Sequence, residues 1–240
     1  MPVLLSTAYF PPVSYFAAMA AEMGGLQSYK GEGRRRIQSS PLTSSVVYIE
    51  ACENFQKQSY RNRCLFYAAD GVQSLSVPVV HNKTMGKLSI SQVLVDYSKP
   101  WLLQHKRAIV SAYHTSAYFE YYQDELFEIL DSHPETLLDL NTRLLKFFIA
   151  KTGIAVDLRM TEEYVPEAVS GQNSILPECR DLRNVIHPKR PDSVLAELGL
   201  EKPYFQVFSP KYGFKSNLSV MDLLFNEGPD SILYLYNIRK

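Results

Sequence analysis

The first apolar run, VLLS at 3–6, is short and uniform, and predicts a buried strand. Pro11 and Pro12 predict a turn after it. From Val13 to Met23 the chain reads VSYFAAMAAEM, with helical spacing and good helix formers, and Gly24-Gly25 ends the pattern. SVVYIE at 45–50 predicts a second strand. Strand, helix and strand in that order predict a βαβ unit, whose crossover is almost always right-handed.

Further along, LFYAA-DG-VQSLSVPV predicts a hairpin, with Asp70-Gly71 suited to a type I′ turn. ISQVLVDY at 90–97 predicts another strand. The middle is helical over Trp101–Ala112, Ala117–Asp131 and Leu137–Lys151, with Ser116 as N-cap of the second and Gly153 ending the third. TGIAVDLRMTEEY holds a short strand, and the Pro-rich stretch 166–203 is expected to wrap the surface. SNLSVMDLLFNEG is a capped amphipathic helix with Leu218, Met221, Leu224 and Phe225 on one side; SILYLYNI then predicts a last strand. The sum is an α/β fold: an N-terminal βαβ unit, a mixed sheet, and a helical middle and C-terminal region. Without repeats or a linker, one domain over 1–240 is expected. The unpatterned segment 24–45 is read as an inserted or extended loop.

Composition narrows the class. A chain of 240 residues with 46% hydrophobic and 21% charged residues is an ordinary globular one. Lys+Arg and Asp+Glu stand at 25 each, which argues against a nucleic-acid binder. Cys52, Cys64 and Cys179 form no CxxC or Cys/His cluster, so neither a metal site nor a disulfide framework is expected. There is no signal-peptide pattern and no apolar run of the roughly 20 residues that a membrane helix needs. The expectation is a reduced, cytoplasmic, soluble protein.

One stretch fits no element. NFQKQSYRNR, 54–63, has an apolar face neither as a strand nor as a helix. It is either an exposed edge or buried polar network, or a recognition surface. In an open α/β sheet, ligands bind outside the carboxyl ends of the strands. If the first two strands are parallel, this connection and the loop beginning at Tyr9 share that edge. The GEGRRR run at 31–36 joins helix to strand and so falls on the opposite edge; it also lacks phosphate-loop spacing. The candidate ligand-binding residues are therefore Tyr9, Asn54, Gln56, Lys57, Gln58, Tyr60, Arg61, Asn62 and Arg63. Arginines offer forked donors to carboxylate or phosphate, and amides read hydroxyl and carbonyl groups. Lys189 and Arg190 join them from HPKRP, a cation cluster stiffened by prolines. His105 and His187 are the candidate proton-transfer residues, since a neutral imidazole accepts a proton near pH 7; each also has a plain packing or loop reading. No GxSxG, HExxH or dinucleotide fingerprint is present, and no cofactor is expected.

Several stretches together resemble the WbqC-like family: YFPPVSYF, ENFQKQSYRNRC at 53–64, the Trp101…His105 pair, SAYHTSAYFEYYQDEL at 111–126, NVIHPKR at 184–190, and YFQVF…GFKSNLSVMDLLFNEGP at 204–229. The resemblance implies glycine or acyl transfer to an amino sugar or nucleotide-linked sugar in surface (O-antigen) polysaccharide biosynthesis. By the family pattern the second strand follows the first helix within a few residues, so 24–45 lengthens that connection. A non-catalytic module binding a small anionic or sugar ligand through the same residues is the alternative. A purely structural polar network is the third reading.

Overall fold

The computed structural model describes residues 1–21, 45–80, 88–166 and 179–237. The GEGRRR run and most of the 24–45 connection lie outside the described residues.

Strands β1 (Val3–Ser6), β2 (Ser45–Glu50), β5 (Val156–Met160) and β6 (Arg180–Asp181) form one parallel sheet in the order β5–β2–β1–β6. Strands β3 (Arg63–Ala68) and β4 (Gly71–Ser76) form a separate antiparallel pair. The architecture is α/β as expected, with the parallel and antiparallel pairings in two sheets. Because β1 and β2 are parallel, with Leu4 opposite Tyr48 and Ser6 opposite Glu50, the strand exits at Thr7, Ala51, Thr161 and Leu182 share one edge.

Helix α1 (Val13–Ala21) is buried from Val13 to Ala20, which explains why its sequence is apolar all round apart from Ser14. Helices α2 (Trp101–Tyr113), α3 (Phe119–Asp131) and α4 (Leu137–Thr152) make the helical middle. At the start of α4, Thr136 accepts from the Asp139 amide at 3.2 Å, and Gly153 ends it at φ 75°. Short helices α5 (Val194–Glu197) and α6 (Ser209–Tyr212) lead to α7 (Val220–Glu227) and α8 (Ser231–Leu235).

Four local expectations change. The hairpin pairs Ala68 with Gly71, so its loop is Ala69-Asp70, and only Gly71 has positive φ (104°). A type I′ turn needs positive φ at both central residues and is not adopted. Residues 90–97 are not a strand but a 3-10 turn at Ile90–Gln92 followed by isolated bridges. Their alternating apolar residues fill the space against α4 rather than extend a ladder. SILYL is helical, because Gly228-Pro229 starts a tight turn that runs straight into α8. Ser116 does not cap α3, which begins three residues later, and its buried hydroxyl has no partner among the described residues.

Two of the stretches that carried the family resemblance meet here. The Tyr118 amide donates to Phe225 O at 3.0 Å, and the Tyr118 ring lies against Gly228. A second network explains YFQ and MD: Tyr204 Oη and Gln206 Nε2 donate to Asp222 Oδ2 at 2.7 and 2.8 Å, and the Gln206 side chain also clasps both backbone groups of Lys215. Burial pushes the Asp222 carboxyl up to about 6, against the pull of its donors Tyr204, Gln206 and Tyr113. A carboxyl raised by folding contributes stability that is complete below its unfolded pKa, near 4, and is lost as pH rises through about 6. The ionisation therefore costs about 3 kcal/mol by pH 7.5. Asp222→Asn is expected to flatten the difference in unfolding free energy between pH 4.5 and 7.5 by about 2 kcal/mol, the rest of the cost falling below pH 4.5, measured by urea titration. An unchanged slope would place the responsible proton elsewhere.

Candidate functional site

The carboxyl edge of the parallel sheet collects buried charge. Glu50, the last residue of β2, is fully enclosed, and its carboxylate accepts four bonds: from the amides of Cys52 and Val165, from Thr161 Oγ1, and from Arg183 Nη1 at 3.1 Å. Arg183 in turn forks onto Asp181 and donates to Val165 O. This brace ties the exits of β2, β5 and β6 together.

A second pair stands beside it. Arg61, 3% exposed, donates from Nε to Glu53 Oε1 at 2.9 Å and from Nη2 to Glu53 Oε2 and to Ser6 Oγ. Burial pushes the Glu53 carboxyl up, and Arg61 and Ser6 oppose that shift. The backbone holding this pair is fixed at many points. Tyr60 O accepts from the Tyr9 amide, Asn141 Nδ2 donates to Arg61 O, and Asn62 exchanges backbone and side-chain bonds with Val77.

Between Arg61 and Arg183 lies a cleft floored by Leu5, Ser6, Thr7 and Ala8, with Tyr15 and Tyr60 beside them and Leu182 and Ile186 opposite. Its enclosed space is about 10 Å³, room for one water molecule. Above it the 187–190 turn leans on the 54–61 connection: Lys189 Nζ donates to Gln58 Oε1, and Gln58 holds φ 58°. His187 is half-buried in that turn. Burial lowers its pKa, as do the positive charges of Arg190, Arg61 and Lys189. Its Nδ1 accepts from the Lys189 amide at 3.2 Å, so the neutral ring carries its proton on Nε2.

The candidates named from sequence fall into three groups. Tyr60, Arg61, Gln58, His187, Lys189 and Arg190 come together at the cleft or on its rim, with Gln56 touching Arg61 Nη1 at 3.4 Å. Asn54 and Lys57 are exposed on the same connection. Asn62, Arg63, Tyr9 and His105 do other work. Arg63 bonds across the hairpin to Ser76 Oγ, and Asn62 to Val77 O. Tyr9 is fully buried, and its hydroxyl meets His105 Nδ1 at 2.9 Å. His105, 5% exposed and edge-on to Trp101, also bonds the Ser76 backbone, and burial lowers its pKa to about 4. Both ring nitrogens of His105 are occupied, and the residue does not line the cleft.

Sequence reasoning did not single out Ser6, Glu50, Glu53, Asp181 or Arg183. One signal existed: Glu50 ends the apolar strand SVVYIE, where a charge has no solvent-facing reason to be.

The N-terminus of α1, where a phosphate sits in many α/β folds, is closed. Val13 N donates to Leu218 O, Ser14 N to Asn217 Oδ1 and Tyr15 N to Pro12 O. Among the described residues, no group of three or more His, Cys, Asp or Glu is placed to hold a metal ion, and no helix is long and apolar enough to cross a membrane.

A parallel sheet with short strands, a sealed first helix and paired charges at its carboxyl edge defines an α/β protein whose polar centre lies outside the strand ends. The chain belongs to the WbqC-like protein family, whose profile matches residues 42–234. The match begins after β1 and α1, so YFPPVSYF lies outside it. The chain is also similar to "Uncharacterized protein Rv1507c" of Mycobacterium tuberculosis, 27% identical over 212 residues that cover 81% of this chain and 88% of that one. No solved structure matches it significantly.

Proposed function

We propose that the protein is a transferase that binds a small anionic or sugar-linked substrate on the carboxyl edge and moves a glycyl or other acyl group onto an amino sugar in surface-polysaccharide biosynthesis. The observation that carries the location is the meeting of two segments 131 residues apart, Gln58 and Lys189, over a cleft walled by Arg61 and Arg183. The transfer chemistry and its polysaccharide setting draw support from the family resemblance. Lys189 and Arg190 on the rim receive the anionic part, and Gln56 and Gln58 read its hydroxyl or carbonyl groups. His187, neutral at pH 7 with its proton on Nε2, hydrogen-bonds the reacting oxygen.

A binding module without catalysis is the second reading, and one observation favours it. Both carboxylates nearest the cleft, Glu50 and Glu53, are taken up by arginines and hydrogen bonds, which leaves neither in position as a general base.

A thermal-shift series separates these readings, using nucleotide-linked amino sugars, amino acids and phosphate against wild type and the exposed-site variant Lys189→Ala. A ligand at a hundred times its Kd stabilises by about 2.7 kcal/mol. That stabilisation is expected in wild type and reduced in the variant. If no ligand stabilises the wild type, both readings fail. Where a ligand binds, mass spectrometry of an acyl donor mixed with the amino sugar distinguishes transfer from binding.

A further inference from the structure

We infer that the cleft between Arg61 and Arg183 takes one carboxylate-sized monoanion, and that the ligand is not held there by a diphosphate. The inference rests on the site reading above and narrows its substrate class.

Donor counting is the first argument. Each guanidinium has five N–H groups. Arg61 uses one on Nε, two on Nη2 and one, at 3.4 Å, on Nη1. Arg183 uses one on Nε, two on Nη1 and one on Nη2. Each therefore keeps one N–H without a partner among the described residues, and both side chains line the same cleft. Two donors match the two oxygens of a carboxylate.

Charge is the second. Inside, Arg61 and Arg183 stand against Glu50, Glu53 and Asp181, one negative charge in excess. Lys189 and Arg190 beside His187 turn the total to one positive. A monoanion neutralises that site; a diphosphate would overload it with charge next to two buried carboxylates, Glu50 and Glu53, and the half-buried Asp181.

Space and backbone are the third. The enclosed room is about one water, which a carboxylate can enter with a small outward movement of the rim and a pyrophosphate cannot. The usual pyrophosphate anchor, the first helix N-terminus, has its amides already taken by Leu218, Asn217 and Pro12.

The test is a titration of wild type with sodium acetate and, separately, with pyrophosphate at constant ionic strength. Binding is followed by acetate methyl-proton relaxation and by calorimetry. Saturable acetate binding is expected, with pyrophosphate weaker and displacing little acetate. Lys189→Ala is expected to weaken acetate about tenfold, the scale of one lost charge-assisted contact. Arg183→Lys keeps the charge and removes the forked donors, and should abolish saturation; circular dichroism confirms that it folds. If it does not fold, the Lys189→Ala result and the acetate-to-pyrophosphate ratio decide. Pyrophosphate binding as tightly as acetate overturns the inference, as does non-saturable acetate. If a nucleotide-linked amino sugar still stabilises the protein in that case, the site reading survives and only the carboxylate assignment falls.

Discussion

Arg61→Ala is expected to cost the protein about 3–5 kcal/mol, because it leaves the Glu53 carboxylate buried without its counter-charge. Glu53 is enclosed by its own connection and by Ser6, so water cannot replace the lost fork. Urea titration at pH 7 measures the loss. Below the already raised pKa of Glu53 the carboxyl is neutral, and part of the stability should return on acidification. Arg61→Lys should recover some of it, since an ammonium supplies the charge but not the planar fork. The double replacement Glu53→Leu with Arg61→Met is the informative one. Exchanging a buried ion pair for apolar side chains of similar volume is often neutral for stability. It should therefore fold well and still lose ligand stabilisation. A single Arg61→Ala loss below about 1 kcal/mol would mean that the pair is solvated and the cleft open.

Gly228→Ala is the second large effect, and it lies far from the cleft in sequence. Gly228 holds φ 54° and ψ −128°, a region that L-residues avoid, and an added Cβ would sit 2.5 Å from the Tyr118 ring. Backbone strain of about 1–3 kcal/mol and overpacking of about 1–3 kcal/mol act together. Gly213→Ala is the control: its φ is also positive, at 74°, but nothing lies within 4 Å of the new methyl group. It should lose only the strain. Equal losses for the two variants, read from urea midpoints, would show that the Tyr118 ring moves aside freely.

The parts of the fold that were legible in the sequence are those where one physical rule acts alone. The parallel β1–α1–β2 unit followed from apolar runs separated by a helix, and the shared edge of the 54–61 connection and the Tyr9 loop followed from that topology. The last helix α8 was misread as a strand because SILYL satisfies either period over five residues; only the tight turn at Gly228–Asp230 decides it. Strand β6 went unnoticed because two residues carry no period at all.

At the candidate site, the polar stretch stood out in the sequence because it fits neither element period, but the division of labour within it was not readable. Arg61 and Arg63 are two residues apart in NFQKQSYRNR, and nothing local separates them. Arg61 turns inward because Glu53 and Ser6 wait there, whereas Arg63 has already joined the hairpin and reaches Ser76 on its outer side. The second arginine of the cleft, Arg183, lies more than 120 residues further along the chain, so its pairing with Glu50 is a long-range contact that no local pattern announces. His105 drew attention as a histidine in an amphipathic helix four residues after the only tryptophan; the structure places it in a buried bond to Tyr9.

Backbone hydrogen exchange, followed by mass spectrometry with and without the amino acid or nucleotide-linked amino sugar that most raises the melting temperature, tests the central claim most directly. Ligand-induced slowing is expected in 55–61 and 182–190, the two walls of the cleft, with α2 and α3 unchanged. Slowing confined to the outer face of α2 or to the β3–β4 hairpin would contradict the placement of the site at the carboxyl edge.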